Sequence, residues 1–534
     1  MRGRYAGQRL GHYPYQDIGG FYMLQMTSEQ LKQYSTKDIN ELIGIITPIL
    51  AHREALYRRY RRKSDDTMMM SELPGANGKR IAPFEWYIVN MVQGYLGGKA
   101  PMYSISPPTD YALQKRGKGF LQRAFTAIGM DKAAEKLDDK QKQEYVKNYS
   151  EALDYIQQYN DDAATFTELI HDYTVCAAAY LYVYENQDNE IVYTRLDARQ
   201  TVAVYDFSTP INLIGLVRHW KEKDPAGREI DVAEVITDES RTLYRDSQMA
   251  EQEALKWDDV PGIAFDNPDG IAAFEPALSS ITTYEQILNN IANMTQYNDS
   301  AKLILKGYTF ETTAMITDPN TGKEVPNPAR AAEEVAIMKA TALTVGQDGD
   351  ITWLLKDVNY DGLMSVLKNQ HELITMLTGV PNMTDEAFSS ADNASALGYK
   401  LYALDQYCAT TDRVFKKGLL RLWEIITGRL NLKGASFDFR DIQIKLQRNI
   451  PTDVDKSLSR ATSAYSSGLV SQETAINIAA LDLDAKEEME RQTAESDANY
   501  QENIQRQKES SDVESQNDNQ NKERNAIRQK GDEK

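Results

Sequence analysis

Apolar residues recur at spacings of three and four in several long runs, and each run predicts a helix. The first run covers residues 37–63. Residues 84–96 form a second, apolar on most sides and closed by Gly97-Gly98, and the charged stretch 131–160 forms a third. From 180 to 245 the pattern changes to short β-branched and aromatic runs at 180–184, 191–196, 201–205, 212–220, 229–236 and 242–245. Turn residues separate them, as in an antiparallel meander.

Pro276 suits the first position of a new helix. Beyond it Ile281, Tyr284, Leu288, Ile291 and Thr295 mark a narrow seam for a neighbouring helix. An insert at 301–358 predicts strands at 302–305 and 308–312, a helix at 329–340, and strands at 341–345 and 351–355. A second seam helix starts near Asp361, read as its N-cap. It carries Leu363, Val366, Gln370, Leu373 and Leu377 and is broken by Gly379-Val380-Pro381. A small-residue loop over 382–395 leads into a helix over 396–430, which at ~1.5 Å per residue spans ~50 Å. Its stripe is Leu397, Leu401, Leu404, Cys408, Thr411, Phe415, Leu419, Leu422, Ile426 and Leu430. A strand-like run at 437–447 precedes Pro451 and two helices, at 452–466 and 472–495. The first 26 residues are rich in Gly and Tyr and read as a loose arm; the last forty are too polar to order by themselves. The pattern as a whole is α+β, mainly helical.

With 534 residues, the chain exceeds one ordinary core and implies several domains. Its 79 acidic and 60 basic residues leave a net charge of -19. This excludes a broad nucleic-acid grip, which needs clustered cations, but not a protein that merely surrounds DNA. The densest basic cluster is Tyr57-Arg58-Arg59-Tyr60-Arg61-Arg62-Lys63. It reads either as a solvated helix face, with cations favourably placed at a helix C-terminus, or as a contact for DNA or an acidic partner. Cys176 and Cys408 stand far apart in apolar or helical surroundings, as reduced, buried thiols of a cytosolic chain do. No signal pattern opens the sequence, and no apolar run approaches the ~20 residues of a membrane span.

Catalytic chemistry is not in view. Gly94-Tyr95-Leu96-Gly97-Gly98-Lys99-Ala100 lacks both the glycine spacing and the Ser or Thr of a phosphate-binding loop. His371-Glu372 has no second histidine at zinc-protease spacing, and neither cysteine has a metal-ligand companion. No catalytic residue, cofactor or metal is expected, and the chain is read as a non-enzyme.

Four stretches carry a family resemblance. They are Leu196-Asp197-Ala198-Arg199; the run Thr378-Gly379-Val380-Pro381-Asn382-Met383-Thr384-Asp385-Glu386-Ala387-Phe388; Ala396-Leu397-Gly398-Tyr399-Lys400-Leu401 through Arg413-Val414-Phe415-Lys416-Lys417-Gly418-Leu419; and Ser467-Gly468-Leu469-Val470-Ser471-Gln472-Glu473-Thr474 with the acidic run that follows. Together with two seam helices bracketing a small insert, they resemble the portal proteins of tailed bacteriophages, of the long-tailed siphophage type, over residues 40–495. The segment 90–101 matches that family loosely, and Ala198 stands where its turn has proline.

The resemblance implies a portal fold of wing, stem, clip and crown, assembled as a closed ring, a dodecamer. Residues 1–29 would be an N-terminal arm, 30–274 the wing, 275–300 and 359–380 the stem helices, and 301–358 the clip. Residues 381–395 would be the tunnel loop, 396–450 the long helix and strand, 451–495 the crown, and 496–534 a disordered tail. Ile281, Leu288, Ile291, Leu363, Leu373 and Leu377 would pack the stem, and Trp353 would either meet a partner at the clip or belong to the local core of the insert. Asp385, Glu386, Phe388, Asp392, Asn393 and Lys400 would face DNA, although Lys400, on the first turn of the helix that follows, reads equally as the partner of Asp405 or another acid. The implied partners are double-stranded DNA, the terminase large subunit, major capsid and scaffolding proteins, and the head–tail connector. The implied place is the portal vertex of a virion assembled in host cytoplasm, with no membrane contact. Another head or connector component is one alternative; an enzyme is the other, but the missing phosphate loop excludes the usual packaging ATPase and no metal-binding acid cluster stands out for a nuclease.

Overall fold

A computed structural model describes residues 23–62, 81–108, 139–255, 257–299, 302–306, 310–319, 321–339, 350–354, 359–383, 394–449 and 454–479, with short pieces between 488 and 496. The chain opens with β1 (Leu24–Gln25), α1 (Ser28–Lys37), α2 (Ile39–Tyr60), α3 (Phe84–Gly97), β2 (Met102–Ile105), α4 (Asp139–Tyr159) and α5 (Asp162–Cys176). Eight strands follow: β3 (Ala178–Glu185), β4 (Ile191–Leu196), β5 (Thr201–Tyr205), β6 (Leu213–Lys223), β7 (Glu229–Ile236), β8 (Ser240–Arg245), β9 (Gln248–Ala254) and β10 (Gly262–Asp266). Next come α6 (Leu278–Asp299), β11 (Lys302–Lys306), β12 (Met315–Thr317), β13 (Glu324–Pro326), α7 (Pro328–Lys339), β14 (Asp350–Leu354) and α8 (Tyr360–Thr378). Last are α9 (Ala394–Leu432), β15 (Ile442–Lys445), α10 (Val454–Ser466) and α11 (Gln472–Ile478). The fold is mixed α and β, and helical residues outnumber strand residues.

The expected meander divides between two sheets. Strands β5 to β9 run antiparallel in sequence order, with β1 added in parallel beside β5. Strands β3 and β4 instead join β10 in a separate three-stranded sheet. The Leu196-Asp197-Ala198-Arg199 turn makes the break. The Asp197 carbonyl accepts from Gln200 N at 3.0 Å and Thr201 Oγ1 at 2.9 Å, while its carboxylate takes the Arg199 guanidinium at 2.6 Å. Helix α2 grips this turn: Arg53 donates to the carbonyls of Ala198 and Thr201, and Arg199 stacks 4.0 Å over the Tyr57 ring.

One core lies among α3, α5, β3, β4, β10 and α9, where the Phe166, Tyr173 and Phe265 rings surround Phe415 at 4.8–5.6 Å. Burying one such ring contributes ~2–3 kcal/mol. A second core packs α1 and α2 onto one face of the six-stranded sheet. The sequence pattern missed β1, α1 and β2, and also α5, which is buried on nearly every side, β10, which is five residues long, and β9, which is exposed throughout.

The insert departs from expectation at 308–312. Its described part is an irregular segment, because the Glu333 carboxylate on α7 accepts from Glu311 N at 2.9 Å and Thr312 N at 3.1 Å, so these amides bond a side chain rather than a strand. The strands lie at β12 and β13 instead, while 341–345 falls outside the described residues.

Contacts divide the chain into two units, Met1–Asn449 and Ile450–Lys534. In the second, α10 and α11 form a hairpin turning at Gly468, whose φ of 71° suits glycine, and Ser471 caps α11 through Thr474 N at 3.3 Å. Of the helix expected over 472–495, α11 covers Gln472–Ile478 and the described residues 488–489, 491–493 and 495 are again helical, while 480–487 lie outside the described residues.

Candidate functional site

The two seam helices, α6 and α8, pack against each other. Ile281 is fully buried; Leu288 and Ile291 are half-buried. On α8 the buried positions are Leu367, Ile374 and Thr378, one residue beyond the stripe read from the sequence. Of that stripe, Leu363 and Leu373 are half-buried, while Val366 is 45% and Leu377 42% exposed. One residue is 100° of helix, so α8 has two adjacent apolar faces. One is buried, and the other is partly exposed on the single chain.

The start and end of α8 are set locally. Asn359, not Asp361, is the N-cap: its Oδ1 accepts from Gly362 N at 2.8 Å, leaving Asp361 in the first turn. At the other end Gly379 has φ +70°, and a Cβ there would lie 3.2 Å from the Ala403 backbone of α9. Val380 is buried, and the Pro381 carbonyl accepts from Tyr87 Oη at 2.8 Å. Phe84 meets Tyr284 of α6 edge-on at 5.0 Å and lies 5.4 Å from the His371 ring of α8. Burial there lowers the His371 pKa. The N-terminal turn of α3 thus holds both seam helices and the turn that leaves them.

The basic cluster ending α2 is drawn into this assembly. Glu85 on α3 is 1% exposed, and its carboxylate accepts from Arg59 Nε at 2.6 Å and Arg62 Nη2 at 2.9 Å. Arg62 also pairs with Glu285 of α6 at 2.9 Å, and Arg59 reaches Thr282 at 3.2 Å. Arg58 pairs with Glu54 one turn earlier. Three cations of the run therefore have partners within the chain, and two of them tie α2 to α3 and α6.

The stripe predicted for α9 holds the core from Leu401 through Leu404, Cys408, Thr411, Phe415, Leu419, Leu422 and Ile426. Gly418 is required, since a Cβ would sit 2.3 Å from the Phe265 ring. Burial pushes the Cys176 and Cys408 thiols up to about 12, so neither is a ready nucleophile. Asp405 on α9 accepts from Arg448 Nε at 2.9 Å and Tyr95 Oη at 3.3 Å, and Arg448 Nη1 reaches Asp412 at 2.9 Å. Periodicity had no means of finding the Glu85 and Arg448 clusters, because their partners lie far apart in sequence.

Residues 41–502 match the family model described as phage portal protein, SPP1 Gp6-like. The chain belongs to this portal family. No curated protein matches the chain. Among solved structures it is similar to a chain from the neck of an empty GTA particle computed with C6 symmetry. That likeness has 11% identity over 78% of this chain and 94% of that one, with a TM-score of 0.37.

In this portal-family chain, the DNA-facing candidates Asp385, Glu386, Phe388, Asp392 and Asn393 lie outside the described residues. Helix α9 starts at Ala394, which puts Lys400 in the second turn rather than the first. Trp353 sits in β14 with its backbone opposite Leu303 of β11. Around the two small sheets of the insert, Ile304, Met315, Ile316 and Val335 are exposed. Among the described residues no three potential metal ligands cluster, and no helix is long and apolar enough to cross a membrane.

Proposed function

We propose that the chain is a portal subunit, one copy of a closed dodecameric ring at a single capsid vertex, through which double-stranded DNA is packaged and ejected. The observation that carries this reading beyond family membership is the second apolar face of α8. Val366 and Leu377 are exposed beside a buried seam, and a subunit in a ring gives each such face to its neighbour through a head-to-tail contact that closes. The net charge of -19 supports a conduit, because each phosphate neutralised by a cation adds binding that translocation has to undo.

On this reading, residues 381–395 are the tunnel loop, with Asp385, Glu386, Phe388, Asp392, Asn393 and Lys400 facing DNA. The insert is the clip, where the terminase large subunit docks and the head–tail connector later replaces it. Its exposed apolar residues, with Trp353 in the central pair of strands, fit a partner surface. Major capsid and scaffolding proteins are the remaining partners, at the portal vertex of a virion assembled in host cytoplasm. Electron microscopy of the purified chain tests the reading: closed dodecamers with a through-channel are expected, and monomers or open filaments reject it.

A further inference from the structure

The six-stranded sheet ends on one side in an open edge. Strand β9 is seven residues long, exposed at every position, and paired only with β8 among the described residues. Alternate residues of such an edge present backbone N–H and C=O groups to solvent, a template for one more strand. The edge is acidic: Glu251 and Glu253 are its only charged residues, two apart and therefore on one face. Arg241 approaches Glu253 at 3.7 Å, but its Nε is committed to buried Glu234 at 2.6 Å. These carboxylates deter a neutral or acidic strand and favour a cationic one.

The chain carries a segment of matching charge. Residues 1–22, outside the described residues, contain Arg2, Arg4 and Arg9 against Asp17 alone, and Arg2 and Arg4 repeat the two-residue spacing of Glu251 and Glu253. Extended, they reach ~70 Å. They enter the fold at β1, which pairs with β5 at the opposite edge of the same sheet. Donor and acceptor thus sit at opposite ends, ~24 Å apart across five strand spacings. That is the arrangement of a head-to-tail contact, in which each copy donates at one end and accepts at the other.

We infer that the basic N-terminal arm of one copy adds as a strand to the acidic β9 edge of the next copy. The inference rests on the ring reading above, so wild-type particles are imaged first. Cysteines are then placed at Gly3→Cys and Gln252→Cys in the full chain, which leaves all four charges in place. Cys176 and Cys408 are buried and do not compete. A short bis-maleimide should give a ladder of covalent multimers, and Q252C alone should give none. The ladder should fall at least tenfold with E251K/E253K and return when R2E/R4E is added. Because β9 is exposed, E251K/E253K should melt like the parent, which separates lost docking from lost folding. Rings without a ladder overturn the arm contact while the portal reading stands. A single chain cross-linked to itself overturns it too, by assigning the edge to the chain's own arm. Wild-type monomers without rings overturn both.

Discussion

Glu85 occupies the first turn of α3, where the helix dipole favours a carboxylate, yet it is almost wholly buried between Arg59 and Arg62. A buried carboxylate with two guanidiniums is costly to break from one side, because the remaining charges lose their partner. Glu85→Ala should therefore cost ~3 kcal/mol or more in denaturant unfolding, whereas Arg58→Ala, on an exposed i,i+4 pair, should change stability by less than ~0.5 kcal/mol. Equal effects would dismiss the buried cluster as the tie between α2, α3 and α6. Glu185 gives a pH handle. Hydrogen bonds from Arg429, and then from Lys433, hold its pKa down at about 2. A depressed folded-state value adds stability above the ordinary carboxylate range and loses it as pH falls toward 2. Glu185→Gln should flatten the acid side of the thermal-melting profile between pH 4.5 and 2. A profile as steep as the parent's contradicts that assignment.

At the scale of elements, α8 is the instructive case. Its sequence spreads apolar residues over more than one face, so a stripe drawn by spacing alone settles on Leu363, Val366, Gln370, Leu373 and Leu377. Tertiary packing buries Leu367, Ile374 and Thr378 instead. The two faces predict different failures. Ile374→Asp places an unpaired charge in the core, a cost of several kcal/mol, and should yield unfolded or aggregated protein. Leu377→Asp should leave the fold intact by circular dichroism but leave the chain monomeric in light scattering. Normal rings from Leu377→Asp would remove this face from the subunit contact. The long stripe of α9 was legible because it lies on one face buried over most of its length. Helix α5 was not, because burial on nearly every side erases period. The N-cap at Asn359 was missed for a smaller reason: Asn359 and Asp361 are both good caps, and only backbone geometry distinguishes them.

For the whole molecule, the question is how an acidic chain handles a polyanion. On the proposed function, a ring of Asp385, Glu386 and Asp392 keeps phosphate from settling, and Lys400 supplies brief attraction. Neutralising the three acids together to Asn and Gln should slow packaging in single-particle measurements at low salt. The defect should ease as salt rises, since screening weakens the attraction to phosphate over a Debye length of ~10 Å at 0.1 M. Unchanged rates at low salt would leave the loop a steric role alone.

The sequence by itself determined α9, whose apolar residues fall on one face, and strands such as β4, β5 and β7, which are short β-branched and aromatic runs between turns, because both patterns are local properties of the chain. Its motifs also determined the portal family, now matched over residues 41–502. Only the tertiary structure decided which strands share a sheet, since β3 pairs with β10 across more than fifty intervening residues and leaves β4 at the far edge. It alone decided which face of α8 is buried. It also separated paired cations from a surface patch, because Arg59 and Arg62 meet Glu85 and Glu285 only once α2, α3 and α6 are packed. Each of these outcomes depends on contacts between distant residues, and a pattern read along the chain does not contain them.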